Sequence, residues 1–170
     1  QYSFGEIRVT HEQNLILADV REQDLLDVWK ALDGERLATP NIGSVNDMIC
    51  CPGLDFCSLA NASSISVAKQ INEEFENFDE LYDIGEVKLK MSGCMNACGH
   101  HHVGHIGILG VDKKGEEWYQ LTVGGDASNQ AALGTHLGKA IAKEHVGTAV
   151  RDILEVYRDS RSDNERLLDT

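Results

Sequence analysis

The chain has 170 residues, of which 42% are hydrophobic and 25% are charged, a composition typical of a folded domain and not of a disordered or fibrous chain. The excess of 28 acidic over 15 basic residues gives a net charge of −13, which disfavours binding to nucleic acid. No apolar stretch approaches the roughly 20 residues that cross a bilayer, and no signal pattern opens the chain. We therefore expect a cytoplasmic protein that does not contact a membrane.

Both ends of the sequence suggest a piece of a longer protein. The chain opens at Gln1, without an initiator methionine, directly into a strand-like segment. It stops at Thr170 in the middle of a pattern of apolar and polar residues. We expect further chain beyond at least one end.

The first 40 residues predict a hairpin and a helix. Ile7 and Val9 alternate with polar residues, and the apolar run 15–18 follows a polar turn, so residues 5–20 predict two short paired strands. Apolar residues at helical spacing then predict a helix over 22–33, with Gly34 as its stop. A loop through Pro40 and Gly43 follows.

The remainder predicts a mixture of helices and strands. Apolar residues at 65, 68, 71 and 75 predict a helix within the run 60–75, and a last helix spans 148–158. Between them, alternation predicts a strand over 87–91, and the runs 106–111 and 118–123 predict a hairpin around the turn 112–115. Without strict alternation of strand and helix, the fold class is α+β with a mixed β-sheet and packed helices.

An acidic run covers residues 73–80. A solvated helix end is the ordinary explanation for such a run, and docking of a basic partner is the alternative. We expect the solvated helix end.

Five cysteines fall into two groups: Cys50, Cys51 and Cys57, then Cys94 and Cys98. Each group lies in a loop rich in Gly, Pro or Asn, which disfavours plain burial of reduced thiols. A structural disulfide is disfavoured in a cytoplasmic chain with an odd number of cysteines. Zinc ribbons favour C-x2-C, whereas the spacings here are C-x5-C and C-x3-C, which suit an iron–sulfur cluster better. A zinc-binding or metal-free structural domain without redox activity remains the alternative of another class.

These motifs resemble a known family. The segments Cys51-x5-Cys57-Ser58-Leu59-Ala60, Ser92-Gly93-Cys94-Met95-Asn96-Ala97-Cys98-Gly99 and Leu121-Thr122-Val123-Gly124-Gly125 are together similar to the carboxy-terminal half of the sirohaem sulfite and nitrite reductases. The resemblance covers nearly the whole chain. It implies part of a ferredoxin-like half-domain over 1–40, a 4Fe-4S/sirohaem-binding domain over 41–170, and a final acidic helix over 157–169.

The resemblance also implies cofactors and their ligands. Cys51, Cys57, Cys94 and Cys98 would hold a 4Fe-4S cluster, and Cys98 would also bridge to the sirohaem iron as its axial ligand. The whole enzyme would be an oxidoreductase that reduces sulfite to sulfide by six electrons in assimilation. Nitrite reduction to ammonia is the alternative within the family. The electron donor would be a flavoprotein or a ferredoxin.

Part of that machinery is not in this sequence. Sirohaem is rich in carboxylates and needs basic partners, yet between Cys51 and Cys98 the chain offers only Lys69, Lys88 and Lys90. In the family most such residues, and those that bind the small anionic substrate, come from the amino-terminal half. We therefore assign no catalytic residue here, and expect the isolated chain to need that half as a partner for sirohaem binding and activity.

Three further features are assigned from the sequence with alternatives open. Cys50 is assigned to packing, because the family spacing selects Cys51. Asn96 lies between two predicted ligands and either contacts the cofactor or caps a turn. The histidines at 100–102 and 105 are predicted to be flanking residues, with adventitious or dedicated zinc binding as the alternatives.

Overall fold

The computed structural model describes residues 2–170, which divide into two compact units, one up to Pro40 and one over Asn41–Thr170. The structure confirms the α+β class. In the described residues, no helix is long and apolar enough to cross a bilayer.

The first unit is a small hairpin followed by a helix. Strands β1 (Arg8–Val9) and β2 (Leu15–Ile16) pair antiparallel, which confirms the predicted hairpin. A 3-10 turn leads into helix α1 (Leu25–Gly34), as the periodicity predicts. Gly34 is the last residue of this helix and not the residue after it.

The second unit is built around a six-stranded mixed sheet, whose strands are β3 (Ile49–Cys50), β4 (Leu89–Ser92), β5 (Ile106–Lys113), β6 (Glu116–Val123), β7 (Thr135–His136) and β8 (Ile141–Ala142). The strand order is β3-β4-β5-β6-β7, and β8 also pairs with β6. Strands β3, β4 and β5 are parallel, and all pairings with β6 are antiparallel.

The sheet holds the predicted strands and three that the sequence does not predict. Strands β3, β7 and β8 have two residues each, too few to show a periodicity. All four residues of β4 are buried, because a central parallel strand is covered on both faces. The hairpin β5–β6 is confirmed, and Lys114 and Gly115 close it with φ of 61° and 86°, the positive angles of a type I′ turn.

Helix α2 spans Ile65–Glu74, shorter than the run from which it was predicted. Residues 60–64 instead belong to the loop that carries Cys57. The helix buries Val67 and Ile71 completely, and Phe75 directly after it is 1% exposed. Burial of side chains of this size stabilises the fold by roughly 1.5–3 kcal/mol each.

The acidic run is not one solvated helix end. Helix α2 ends at Glu74, and a separate helix α3 (Phe78–Ile84) begins after Asn77, whose side chain accepts hydrogen bonds from the first turn. Glu74 and Glu80 both pair with Arg151, at 3.1 and 3.0 Å. Two carboxylates of the acidic run therefore form ion pairs with Arg151 of the same chain, because α2 and α3 both lie beside it.

Helix α4 (Val146–Ser160) confirms the last predicted helix and extends it at both ends. Its apolar side packs with α2 against the core, where Val150 and Leu154 are buried. The final acidic helix implied by the family resemblance is absent among the described residues beyond Ser160, which form turns. Tyr157 stabilises these turns, since its hydroxyl donates to the carbonyl of Glu165 at 2.8 Å.

Candidate metal centre

Two cysteine-bearing loops meet at the carboxyl ends of neighbouring parallel strands. Cys51 directly follows β3, and Cys94 lies two residues beyond the end of β4. The register pairs Cys50 with Met91, and the N–H of Cys51 donates to the carbonyl of Met91 at 3.1 Å. Paired strands lie about 4.8 Å apart, so this pairing sets the distance between the bases of the two loops.

Gly93 joins the two loops through its main chain. Its N–H donates to Cys51 Sγ at 3.0 Å, and its carbonyl accepts from the N–H groups of Asn61 and Ala62 at 2.9 and 3.0 Å. A Cβ on Gly93 would lie 2.7 Å from Gly53 Cα, so the backbones touch where neither residue has a side chain. The structure thus brings together the two sequence motifs that carry the predicted ligands.

Asp55 anchors the first loop to helix α2. Its Oδ2 accepts hydrogen bonds from the N–H groups of Ser64 and Ile65, at 2.9 and 3.0 Å. These groups begin the helix and lack partners within it, and the carboxylate also suits the positive end of the helix dipole. Asp55 lies between Cys51 and Cys57, so the contact fixes the loop that presents both thiols.

A second polar contact ties the same loop to β6. The N–H of Ser63 donates to Glu117 Oε2, and the Tyr119 hydroxyl lies 2.8 Å from the Ser63 carbonyl and 2.9 Å from Glu117 Oε2. Burial raises the pKa of Tyr119, and its bond to Glu117 adds to that rise. Burial acts to raise the pKa of Glu117, but hydrogen bonds from Ser63 and Tyr119 and the nearby charge of Lys143 leave it lowered.

The second loop is a tight turn that folds back on β4. The N–H of Gly99 donates to the hydroxyl of Ser92 at 3.1 Å, and a Cβ on Gly99 would collide with the carbonyl of Met91. Ala97 adopts a left-handed conformation with φ of 56°. The turn places Cys94 in the interior and Cys98 at the surface.

The four predicted ligands differ in exposure. Cys51 and Cys94 are buried, Cys57 is half-buried and Cys98 is exposed. All five cysteines are free thiols. Within residues 2–170, no three side chains of His, Cys, Asp or Glu converge as ligands of a single metal ion would.

Cys50 differs from its neighbour. It packs against the core, and its thiol donates to the carbonyl of Cys51 at 3.2 Å. Burial raises the pKa of Cys50 to about 12, and the nearby Cys51 and Asp55 add to the rise. A thiol held protonated in this way is a poor metal ligand, which agrees with its assignment to packing.

Asn96 and the histidines have separate places. The Asn96 side chain is exposed at the tip of the second turn. His101 is 3% exposed and stacks on His102 with ring centroids 3.9 Å apart. His105 accepts a hydrogen bond from the N–H of Lys88 at its Nδ1, at 3.3 Å. The zinc alternative for these histidines has no supporting ligand group in the described part of the chain.

Several residues that build this site carry no role in the sequence prediction, among them Asp55, Ser64, Glu117 and Tyr119. Asp55 offered a usable indication, because it is an acidic residue inside C-x5-C, five residues before the run 60–75 in which a helix is predicted. Glu117 and Tyr119 offered none. They reach the loop only because the hairpin β5–β6 folds beside it.

Comparison with known proteins identifies two family profiles. Residues 43–170 match the nitrite and sulphite reductase 4Fe-4S domain, and residues 1–34 match the nitrite/sulfite reductase ferredoxin-like half domain. The NADPH sulfite reductase hemoprotein beta-component of Bacillus licheniformis is 28% identical over 97% of this chain, which spans 29% of that protein. The assimilatory-type sulfite reductase of Nitratidesulfovibrio vulgaris is 26% identical over 94% of this chain, which spans 70% of that protein.

A solved structure gives the same result. The NirA protein of Mycobacterium tuberculosis superposes with a TM-score of 0.81 and 25% identity over 95% of this chain, which spans 31% of the NirA chain. Relatives named ferredoxin-dependent nitrite reductases also match. The relatives are oxidoreductases, and the family implies a 4Fe-4S cluster with sirohaem as cofactors.

The residues present fit the cluster. Each corner of a 4Fe-4S cluster takes its own thiolate, so the four ligands need not converge on one point. A main-chain N–H already points at Cys51 Sγ, the type of contact that stabilises a bound thiolate sulfur.

Proposed function

Since this chain belongs to the nitrite and sulphite reductase 4Fe-4S domain family, we propose that it is the carboxy-terminal part of an assimilatory sirohaem sulfite reductase. In this proposal Cys51, Cys57, Cys94 and Cys98 would hold the 4Fe-4S cluster, and Cys98 would also be this chain's ligand to sirohaem. The observation that carries the proposal is the set of main-chain hydrogen bonds made by Gly93, which we call the Gly93 joint. These bonds connect the two cysteine loops at the ends of adjacent strands, and one of them is donated to Cys51 Sγ.

The protein's own contribution is to fix and shield the thiolates. When bound, the cluster and sirohaem supply the electron transfer and the reduction of the small anion. Cys51 and Cys94 lie in the interior, where low dielectric and few waters limit loss and oxidation of a bound cluster. Asp55 and the main-chain contacts of Gly93 fix the first loop, within which the N–H of Cys57 donates to the carbonyl of Gly53 at 2.8 Å.

Cys98 has the opposite environment. It is exposed at the end of the tight turn, and Phe56, Leu59 and Met95 from the same two loops are 83%, 73% and 85% exposed. Exposed large apolar side chains that share one surface often mark an interaction site. We propose that sirohaem and the amino-terminal half of the enzyme cover this surface.

That half is also the source of the missing basic residues. We propose that residues 1–40 form part of a ferredoxin-like half-domain and that residues 41–170 bind the cluster and one face of sirohaem. The isolated chain should then show no sirohaem absorbance and no methyl-viologen-dependent activity. Either observation in the purified 170-residue chain would contradict the proposal that sirohaem binding and activity need the amino-terminal half.

Sulfite is the proposed substrate because the first two relatives are named sulfite reductases. Nitrite reductases match as well, so the complete enzyme should be assayed with both anions, following sulfide and ammonium. A flavoprotein or a ferredoxin is the proposed electron donor. Faster turnover of nitrite than of sulfite would overturn the choice of substrate and keep the family chemistry.

The ligand assignment is tested by anaerobic reconstitution of the 170-residue chain with iron and sulfide. We expect about four irons and four sulfides per chain, by analogy with other four-cysteine clusters. Cys51→Ser, Cys57→Ser, Cys94→Ser and Cys98→Ser should each lower the iron content sharply. Cys50→Ser is the matched control and should load like the unmodified chain. Bound zinc in place of iron, or loss of iron in the control alone, would refute the assignment.

A further inference from the structure

Ser64 lies beside the sulfur of Cys51 in the interior. The residue is completely buried, and its Oγ is 3.7 Å from Cys51 Sγ, a hydrogen-bond distance for sulfur. Its main-chain N–H is already used, because it donates to Asp55. The hydroxyl is therefore available to the sulfur while the backbone is held by the helix cap.

The direction of this hydrogen bond follows from the state of the sulfur. In a free thiol either Ser64 Oγ or Cys51 Sγ can donate. A cysteine bound to iron is a thiolate, which has no proton and can only accept. Given the proposed ligand role of Cys51, on which this step rests, the Ser64 hydroxyl donates to the thiolate.

Two glycines make room for this contact. A Cβ on Gly53 would lie 2.5 Å from Ser64 Oγ, and a Cβ on Gly93 would lie 3.0 Å from it. Gly93 also donates its N–H to the same sulfur at 3.0 Å. Cys51 Sγ therefore receives one donor from the main chain and one from a side chain.

We propose that Ser64 is a positioning residue that raises the reduction potential of the cluster through its hydrogen bond to Cys51. One-electron reduction by an external donor adds negative charge to the cluster and its thiolates. A donor to the sulfur stabilises this reduced state more than the oxidised one. Loss of the hydroxyl should shift the reduction equilibrium three- to tenfold toward the oxidised cluster, about 30–60 mV at 59 mV per tenfold for one electron.

The test is a redox titration of the reconstituted 170-residue chain and of Ser64→Ala, with the reduced cluster followed by electron paramagnetic resonance. Ser66→Ala is the matched control. It removes a buried hydroxyl two residues further along, in the first turn of α2, and Ser66 Oγ has no hydrogen-bond partner among the described residues. We expect Ser64→Ala to titrate at a lower potential, while Ser66→Ala and the hydroxyl-retaining Ser64→Thr stay near the unmodified chain.

A second measurement keeps the proposal testable if Ser64→Ala does not bind the cluster. After exchange into deuterium oxide, electron–nuclear double resonance on the unmodified chain should detect a hydroxyl deuteron near the cluster besides that of the Gly93 amide. Equal potentials in the Ser64→Ala and Ser66→Ala variants, or absence of that deuteron, would overturn the role of Ser64. Failure of the unmodified chain to take up iron would instead refute the proposed function.

Discussion

Replacement of Gly93 by alanine should separate the two cysteine loops. A Cβ at this position would lie 2.6 Å from the carbonyl oxygen of Ala62 and 2.7 Å from Gly53 Cα. Both neighbours are main-chain atoms that cannot rotate away. Ordinary contact begins near 3.4 Å, so the loops must move apart by 0.8 Å to accommodate the methyl group.

The magnitude follows from the contacts that this movement disturbs. Overpacking of a well-packed interior costs about 1–3 kcal/mol. The same displacement stretches three hydrogen bonds made by Gly93, each with a net contribution of about 0.5–1.5 kcal/mol. We expect Gly93→Ala to lower the free energy of unfolding by about 2–4 kcal/mol, with partial loss of these bonds.

Urea unfolding of the metal-free chain measures this loss, and iron content after anaerobic reconstitution measures its effect on the site. Gly34→Ala is the control, because nothing lies within 4 Å of a Cβ there and its φ is not positive. That variant should unfold like the unmodified chain or be slightly more stable. If Gly93→Ala matched Gly34→Ala in stability and iron content, the joint would not position the cysteines.

Three further changes test other parts of the structure. Asp55→Ala removes the cap of α2, so it should lower the free energy of unfolding in urea by roughly 1–2 kcal/mol and reduce iron loading. Glu73→Ala, on the exposed side of the same helix, is the control and should change neither quantity. Tyr119→Phe removes the hydrogen bond to the Ser63 carbonyl and should lower the free energy of unfolding by about 1–2 kcal/mol. Tyr82→Phe, at an exposed tyrosine, is its control. Equal free energies of unfolding in the two variants would argue against a stabilising role for that contact. Burial and the neighbouring His102 and His136 lower the pKa of His101 to about 4. His101 is therefore harder to protonate in the folded state than in the unfolded chain, where it takes up a proton below about pH 6.5. Above that pH the neutral histidine costs the folded state nothing. As the pH falls toward 4, the free energy of unfolding decreases by on the order of 3 kcal/mol. His101→Gln should flatten this slope in urea titrations of the metal-free chain, and an unchanged slope would show that another group is responsible.

Local patterns predict much of this fold. The long hairpin β5–β6 and helix α4 could be predicted because eight and fifteen residues provide several periods of alternation or helical spacing. The strand β3 could not, because it has two residues and exists only through pairing with β4. The sequence does not predict the break at Asn77 for a different reason, because the capping residue that separates α2 from α3 lies within a continuous acidic run.

The candidate site divides in a similar way. The cysteines that the sequence selects lie on two loops that the structure joins, but the parts that join them are distant in sequence. Gly93 and Ala62 are 31 positions apart, and Tyr119 lies 56 positions from Ser63. Residue spacing does not predict such contacts, because they depend on how the β5–β6 hairpin packs beside the loops.

The joint at Gly93 relies largely on peptide groups. Asn61, Ala62 and Met91 take part through their N–H or carbonyl groups, which nearly every amino acid carries. Their side chains can therefore change over evolutionary time without loss of these main-chain hydrogen bonds. Proline at 61 or 62 is the exception, because it has no N–H to donate. Such an arrangement suits a lineage whose members retain only about a quarter of their residues in common, as the 28% identity with the Bacillus licheniformis protein illustrates.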